Sequence, residues 1–157
     1  FHTGDAGYLK DSHLYLTERI KDLFKTSNGK YISPQALETK LAIDRYIDQI
    51  AVIADERKFV SALIVPVYGF VKDYAKEKGI AYSNMDELLQ HSKIQALFRA
   101  RIDTLQQQFA HYEQVKRFTL LTEPFSMERG ELTNTLKLKR SVVAKNYKGL
   151  IDKMYEE

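Results

Sequence analysis

Short apolar runs near the start of the chain predict paired β-strands. Gly7-Tyr8-Leu9 and Leu14-Tyr15-Leu16 are β-prone and lie on either side of a polar stretch at 10–13. Polar residues of this kind favour a turn, so we predict a β-hairpin. A second hairpin or glycine loop is expected farther along, because Asn28-Gly29 readily supplies the positive backbone dihedral angles of a tight turn.

The hydrophobic spacing then changes to that of a helix followed by strands. Ser33 and Pro34 are arranged as an N-cap and a first helical residue, and they predict a helix from about Pro34 to Ile43. Two runs rich in β-branched residues, 50–54 and 59–67, come next, with a charged connection between them. We expect these runs to pair as antiparallel neighbours.

Helical spacing dominates residues 68–109, and 115–121 is the third good strand candidate. One amphipathic helix is indicated by apolar residues at intervals of three and four, namely Ile94, Leu97, Phe98, Ile102, Leu105 and Phe109. A final helix has an apolar face formed by Val142, Val143, Tyr147, Leu150, Ile151 and Met154. The pattern as a whole predicts an α+β fold, in which helices cover a small, mainly antiparallel sheet preceded by a β-hairpin from a neighbouring domain.

The composition is that of an ordinary globular protein. A chain of 157 residues, 44% hydrophobic and 29% charged, can bury one substantial core. No apolar run approaches the roughly 20 residues that span a bilayer, and the N-terminus lacks a secretory pattern. A cytoplasmic location, with peripheral membrane association allowed, is therefore the expectation. Because structured sequence begins at once at Phe1, we also expect a piece of a longer protein.

Charge and residue types exclude some kinds of chemistry. The absence of cysteine excludes disulfides and thiolate metal sites. The histidines have no close pairing at familiar ligand spacing, so no metal site is predicted at His2, His13, His91 and His111. A formal net charge of +3 is small, and any attraction to an anionic partner has to come from local clustering of basic residues.

Two segments near the start could contact a nucleotide. Thr3-Gly4-Asp5 places a carboxylate beside a glycine, an arrangement that can accept two hydrogen bonds from ribose hydroxyls. Arg19 and Lys21 offer donors for hydroxyl or phosphate oxygens. The plain alternatives are a structural turn carboxylate and solvated ion pairs.

A third candidate is Lys137, which follows a short polar loop and precedes the final helix. A mobile ammonium group suits carboxylate activation, because two anions must meet and pyrophosphate must depart. Basic residues at a helix N-terminus oppose the helix dipole, which favours an anionic partner for Lys137, Lys139 and Arg140. The plain alternative is a solvated basic helix start.

These signals occur together in the order and approximate spacing of the adenylate-forming superfamily, which includes acyl-CoA synthetases and luciferases, and the chain resembles that family over essentially its whole length. The residues that carry the resemblance are Thr3-Gly4-Asp5, Arg19-Ile20-Lys21-Asp22-Leu23-Phe24-Lys25, Gly29-Lys30-Tyr31-Ile32-Ser33-Pro34-Gln35-Ala36-Leu37-Glu38 and the segment ending in Lys137-Leu138-Lys139-Arg140.

The resemblance implies a role for each matching position. Asp5 and Arg19 match residues that bind the ribose hydroxyls of ATP or of the acyl-adenylate. Lys21 matches the hinge about which the C-terminal domain rotates, where some relatives have aspartate. Lys137 matches the adenylation lysine. The loop with Lys25 and Gly29 resembles the one brought to the active site for attack by CoA.

The resemblance also implies an activity and a domain division. Many relatives carry Thr-Gly-Lys where this chain has Thr135-Leu136-Lys137, and this form, with the helices between the second and third strands, looks more like the long-chain fatty-acid branch. The implied protein is an ATP-dependent long-chain fatty-acid–CoA ligase of lipid metabolism that uses ATP, Mg²⁺ and CoA. Residues 1–20 would end an N-terminal adenylate-binding domain, and 21–157 would form a mobile lid.

The implied partners are the N-terminal domain of the same chain, fatty acid, ATP and CoA, with no nucleic acid and no transmembrane segment. The phosphate loop and acyl pocket of the family do not appear in this sequence, so we expect the segment alone to be inactive.

Two alternatives stay open. One is a non-catalytic module for anions or nucleic acid, using a basic patch formed by Lys137, Lys139, Arg140, Lys145 and Lys148. The other is an adenylating enzyme that passes its acyl group to an acceptor other than CoA.

Overall fold

The computed structural model describes the backbone of residues 5–10 and 13–19 and both backbone and side chains of 23–156. Strands β1 (Asp5–Lys10) and β2 (His13–Arg19) pair antiparallel, with Asp5 opposite Arg19 and a register shift after Ala6. This pairing confirms the first predicted hairpin. The predicted domain break near Arg19 to Asp22 lies mostly outside the described residues, so the division into 1–20 and 21–157 stays a prediction.

A second small hairpin leads into the first helix. Strands β3 (Phe24–Lys25) and β4 (Tyr31–Ile32) pair antiparallel and are followed by α1 (Pro34–Leu41). The Ser33 hydroxyl accepts a hydrogen bond from the Ala36 amide at 3.2 Å, as the N-cap interpretation requires.

Helix α1 ends two residues before the predicted Ile43, because the chain turns there. The Asp44 amide bonds the Leu41 carbonyl, and the Asp44 carboxylate accepts the Tyr46 amide at 2.9 Å. The side chain thus fixes the turn that leads into the next strand.

The central sheet has the order β5-β6-β7, with β5 (Ile47–Ile53), β6 (Val60–Pro66) and β7 (Val115–Leu120). Strands β5 and β6 are antiparallel, as the sequence predicts, whereas β6 and β7 are parallel. A parallel neighbour needs a long crossover connection, and the helices between the second and third strands supply it. All seven residues of β6 are buried, so β6 is the centre of the fold.

Helices cover both faces of this sheet. The crossover contains α2 (Tyr68–Lys78), α3 (Met85–Gln90) and α4 (Ser92–Leu105), and a short 3₁₀ helix (His111–Glu113) precedes β7. The chain then ends its described part with α5 (Arg140–Asn146) and α6 (Lys148–Tyr155). Among the described residues, no helix combines the length and apolarity that crossing a bilayer requires.

The predicted final helix is two helices, because Tyr147 departs from helical geometry with φ −110° and ψ 20°. This break redirects the apolar face. Val143, Ile151 and Met154 are buried as predicted, but Leu150 is 37% exposed.

Two hydrophobic clusters pack on opposite faces of β6, since successive residues of a strand point to opposite sides. Ala62 and Ile64 join a larger cluster with α1, α2, α3 and α4, which includes Phe98 and Ile102. Leu63 and Val65 join a smaller cluster with Val143, Ile151 and Met154 of α5 and α6. The result is an α+β domain whose strand pairs are mainly antiparallel, as expected from the sequence.

Candidate functional site

Lys137 lies in a tight loop that connects the strand region to α5. We call residues 132–138 the Lys137 hairpin, because Leu132 and Leu138 pair antiparallel at its base. The Thr133 amide donates to the Lys137 carbonyl at 2.8 Å, and the Lys137 amide donates to the Thr133 hydroxyl at 3.0 Å. The backbone of Lys137 is thus held from both sides.

The Lys137 side chain is exposed. Among the described residues, no hydrogen-bond acceptor or carboxylate engages its ammonium group. An ammonium group on a fixed backbone with no internal partner is available to an anion that arrives from outside.

Leu136 has an unusual backbone conformation, with φ +63°. This is the position at which many members of the resembling family carry glycine, and glycine adopts positive φ without steric cost. A leucine in the left-handed region costs on the order of 1–2 kcal/mol. Leu136 is 66% exposed, so burial of apolar surface offsets only part of that cost.

A fully buried carboxylate lies below the hairpin. Glu131 has 0% exposure and accepts hydrogen bonds from the Ser126 amide at 3.1 Å, Arg129 Nε at 3.0 Å and Asn146 Nδ2 at 3.3 Å. Burial and the Glu131 charge together raise the pKa of the neighbouring Tyr147 hydroxyl.

The pKa of Arg129 reflects two opposing effects. Burial of the guanidinium lowers the pKa, but charge attraction and hydrogen bonds with Glu131 and Tyr147 together outweigh burial and raise it. Arg129 therefore keeps its positive charge throughout the physiological pH range and stays paired with Glu131.

A second ion pair ties the far side of the hairpin to α1. Arg140, the first residue of α5, contacts both carboxylate oxygens of Glu38, one of them at 2.6 Å. Glu38 also accepts the Val52 amide at 2.9 Å, and the Arg140 guanidinium lies 5.5 Å from the centre of the Phe24 ring. Arg140 therefore links α5 with α1 and β3.

Lys25, the last residue of β3, and the compact turn that follows it to β4 are together called the Lys25 loop (residues 25–30). The Thr26 amide donates to the Lys30 carbonyl at 2.9 Å, and the buried Thr26 hydroxyl accepts the Lys30 amide at 3.2 Å. Gly29 has φ +79°, and a Cβ built on it would meet no atom within 4 Å. Glycine is needed there for its backbone conformation and not for lack of space.

The Lys25 loop packs against the turn between β5 and β6 through main-chain hydrogen bonds. The Ser27 amide donates to the Arg57 carbonyl at 3.0 Å, and the Glu56 amide donates to the Lys25 carbonyl at 2.8 Å. The Lys25 ammonium lies 5.8 Å from the centre of the Tyr31 ring.

The predicted site residues lie in separate places. The Lys137 hairpin flanks α1 across a cleft of about 300 Å³ whose lining includes Gln35, Thr39 and Leu136, whereas the Lys25 loop contacts the β5–β6 turn. The structure does not bring Lys137 and Lys25 together. Asp5 and Arg19 are opposite each other in the β1–β2 hairpin, but their side chains, and all of Lys21, lie outside the described residues.

Sequence reasoning missed Glu131 and the partner of Arg140. Glu131 follows Gly130 in a polar stretch that reads as exposed loop, so nothing marks it as buried. Glu38 and Arg140 are 102 residues apart, and a pair at that separation leaves no local pattern. The predicted basic patch loses one of its charges, because Arg140 is paired with Glu38. Tyr147, which lies among the patch residues in the sequence, packs edge-on against Phe125.

Residues 21–157 match the model of the AMP-binding enzyme C-terminal domain family. The chain is 34% identical to long chain acyl-CoA synthetase 7, peroxisomal, of Arabidopsis thaliana, over 99% of this chain and 23% of the relative. It is 35% identical to long-chain-fatty-acid–CoA ligase 5 of Rattus norvegicus, over 99% of this chain and 23% of the relative. The chain thus spans about a quarter of the length of the curated relatives it matches.

Solved structures show the same fold. The adenylation domain of a carboxylate reductase from Mycobacterium chelonae superposes with a TM-score of 0.78 at 24% identity, over 100% of this chain and 23% of that one. The corresponding domain from Segniliparus rugosus, in complex with AMP and a co-purified carboxylic acid, gives a TM-score of 0.76 at 20% identity, over 98% and 23%. With the family match over residues 21–157, the chain belongs to the AMP-binding enzyme C-terminal domain family.

Proposed function

We propose that this chain is the lid portion of a long-chain fatty-acid–CoA ligase and that Lys137 serves the first of its two half-reactions. The observation that carries the proposal is the exposed Lys137 ammonium on a hairpin whose backbone is fixed on both sides. The whole-chain similarity to long-chain acyl-CoA synthetases supports the choice of a fatty acid as substrate.

The proposed reaction proceeds in two displacements. A fatty-acid carboxylate oxygen attacks the α-phosphorus of ATP, the bond to pyrophosphate breaks, and acyl-AMP forms. The thiolate of CoA then attacks the acyl carbon, a carbon–sulfur bond forms, and AMP leaves with the electrons of the carbon–oxygen bond. Negative charge accumulates in the first step, so a positioned cation lowers that barrier.

The proposed roles follow the chemistry of each residue. Lys137 neutralises charge during adenylation, and Asp5 and Arg19, opposite each other in β1 and β2, hold the ribose hydroxyls. Lys25 and Gly29 belong to the surface that faces the active site during attack by CoA. A hinge at Lys21, between an N-terminal domain ending at residue 20 and a lid of 21–157, would exchange the two surfaces.

Magnesium would accompany ATP, held mainly by the nucleotide phosphates together with one or two carboxylates. Within residues 23–156, no group of three or more His, Asp or Glu side chains is arranged to hold a metal ion. Hard cations prefer oxygen ligands, so the ion would be held by the nucleotide phosphates and by other parts of the protein.

The proposed partners are the N-terminal domain, a fatty acid, ATP and CoA, with no nucleic acid. We place the enzyme in the cytoplasm, where its acyl substrates would bring it to membrane surfaces. The chain alone should not turn over, because the nucleotide phosphates and the acyl group would be held elsewhere.

The test is ATP–pyrophosphate exchange with palmitate by the complete enzyme, followed by thioester formation from supplied palmitoyl-AMP. We expect Lys137→Ala to lower exchange by about 10²-fold, the size of effect seen when one preorganised charge-stabilising group is removed, and to leave the second step nearly intact. Exchange equal to wild type would remove Lys137 from this role.

The same assay separates the alternatives. Exchange without thioester formation would indicate an acceptor other than CoA. An enzyme that shows no exchange with any carboxylic acid but binds DNA or RNA in a salt-sensitive manner would be a binding module.

A further inference from the structure

Glu131 is a buried charge to which the proposed function gives no role. Its carboxylate is fully buried, and burying a carboxylate costs several kcal/mol unless close partners compensate. A hydrophobic residue at the same place would extend the adjacent cluster around Phe125 and Val143 at no such cost. The carboxylate at this position therefore depends on the polar partners around it.

Three donors on two segments converge on this side chain. The Ser126 amide and Arg129 Nε come from the loop before the hairpin, at 3.1 and 3.0 Å. Asn146 Nδ2 comes from the end of α5, at 3.3 Å. The carboxylate thus fastens the loop before the Lys137 hairpin to the helix after it.

The main chain of the same residue holds both arms of the hairpin. The Glu131 amide donates to the Ser126 carbonyl at 3.0 Å, and the Glu131 carbonyl accepts the Lys139 amide at 2.8 Å. The next residue, Leu132, pairs with Leu138. Any shift of Glu131 therefore moves the two ends of the hairpin together.

From this base to Lys137 the connection is short and hydrogen-bonded. Thr133 bonds the Lys137 backbone through its amide and its hydroxyl. Leu136 has φ +63°, and a change to a more common backbone conformation at this position would alter the shape of the loop. The backbone of Lys137 is therefore connected to the base of the hairpin by an unbroken set of hydrogen bonds.

We propose that Glu131 is a positioning residue that fixes where the Lys137 ammonium stands during adenylation. The inference rests on the proposed role of Lys137. A displacement of about 1 Å in a group that acts on the reacting atoms can cost about 10²-fold in rate. Glu131 does not itself contact substrate. Its loss acts on adenylation and leaves the Lys25 loop, which is fastened elsewhere, unaffected.

The experiment compares Glu131→Gln with Glu128→Gln in the complete enzyme. Both substitutions remove one carboxylate charge, but Glu128 is exposed. Glutamine at 131 retains an oxygen that can accept the Ser126 amide but loses the charge pair with Arg129. We expect ATP–pyrophosphate exchange to fall about 10- to 100-fold in Glu131→Gln and less than twofold in Glu128→Gln, with thioester formation from palmitoyl-AMP retained in both.

A double variant distinguishes positioning from a general loss of stability. If Glu131 acts through Lys137, then Glu131→Gln with Lys137→Ala should be no slower in exchange than Lys137→Ala alone. Independent, multiplying losses would overturn the proposal. Amide hydrogen exchange of residues 132–139 should be faster in Glu131→Gln, which reports on the hairpin without any activity measurement.

The outcomes separate this inference from the function on which it rests. If the wild-type enzyme catalyses exchange and Glu131→Gln does so at the same rate, only the positioning role of Glu131 is rejected. A wild-type enzyme without exchange rejects the proposed function and this inference with it. If Glu131→Gln does not fold, Asn146→Ala removes one donor to the same carboxylate and takes its place in both assays. A selective loss of exchange in Asn146→Ala supports the proposal, and equal losses in the two half-reactions reject it.

Discussion

The Lys25 loop and the Lys137 hairpin differ in the residue that adopts a left-handed backbone conformation and in how each is attached to the domain. Each contains a residue with positive φ, but the Lys25 loop uses Gly29 at +79° and the Lys137 hairpin uses Leu136 at +63°. The Lys25 loop is attached to the β5–β6 turn by main-chain hydrogen bonds. The Lys137 hairpin is attached through the side chains of Glu131 and Arg140.

This difference determines how each loop responds to mutation. Main-chain hydrogen bonds survive most substitutions, so the position of the Lys25 loop should tolerate changes of side chain except where φ is positive. The position of the Lys137 hairpin depends on two ion pairs that are only partly exposed to solvent, Arg129–Glu131 and Arg140–Glu38, and removing one partner leaves the other uncompensated. Single substitutions should therefore displace the hairpin much more readily than the loop.

Arg140 offers the largest expected effect, because it contacts both Glu38 and the Phe24 ring of β3. The two side chains of the pair are 28% and 14% exposed. Loss of one partner from a fully buried pair costs about 3–5 kcal/mol, and partial exposure reduces this to about 2 kcal/mol for Arg140→Ala. Urea denaturation of the chain measures the change in the free energy of unfolding.

The matched control for Arg140 is Lys139→Ala, an exposed neighbour. We expect a change below about 0.5 kcal/mol there. Arg140 lies two residues after the Lys137 hairpin and contacts Phe24, the residue before the Lys25 loop. Arg140→Ala in the complete enzyme should therefore slow both half-reactions, and a loss confined to one of them would contradict its role as a shared anchor.

Gly29→Leu is expected to have the next largest effect. A Cβ at Gly29 meets no atom within 4 Å, so the cost is conformational, about 1–2 kcal/mol for a left-handed L-residue. Thermal unfolding should show the loss, and thioester formation should fall more than ATP–pyrophosphate exchange. An equal fall in both reactions would separate the Lys25 loop from the CoA step.

Leu136→Gly reverses the substitution at the other loop and should have a smaller effect of opposite sign. Removing the left-handed strain stabilises the folded state by about 1–2 kcal/mol, but the greater conformational freedom of glycine stabilises the unfolded chain and cancels part of this effect. We expect a net stabilisation of at most about 1 kcal/mol in urea denaturation. A destabilised Leu136→Gly variant would show that the leucine side chain makes a favourable contribution that its 66% exposure does not suggest.

Lys137→Ala is expected to change stability least. Its side chain is exposed and no described group pairs with it, so the free energy of unfolding should change by less than about 0.5 kcal/mol. A variant that has lost exchange but keeps its urea midpoint would sharpen the comparison, since Lys137 would then act in catalysis without contributing to the fold. A clear drop in the midpoint would indicate an internal partner.

The sequence predicted elements whose signals are local. The Ser33 cap, the Asn28-Gly29 turn and the β-branched runs of β5 and β6 depend on neighbours in the chain, and all are present in the structure. The parallel pairing of β6 with β7 was not predicted, because orientation depends on how three intervening helices return the chain. The kink at Tyr147 was missed because one apolar spacing runs through both final helices.

In the candidate site, too, local features were predicted from the sequence and long-range contacts were not. The positions of Lys137, Lys25 and Gly29 on loops follow from turn residues and flanking elements. Their attachments do not, since Glu131 reads as an exposed loop residue and the Glu38–Arg140 pair joins positions 102 apart. Buried ion pairs are set by tertiary packing, which a single sequence does not reveal.

The two clusters on either side of β6 also set an order of assembly. The larger cluster uses segments that leave the ribosome early, from α1 to α4, and its contacts can form while the chain is still growing. The smaller cluster needs Val143, Ile151 and Met154, which are synthesised after α1 to α4. One face of β6 therefore remains bare during synthesis, a period in which an apolar strand surface is prone to aggregation. The face of β6 that α5 and α6 cover is therefore completed after the opposite face.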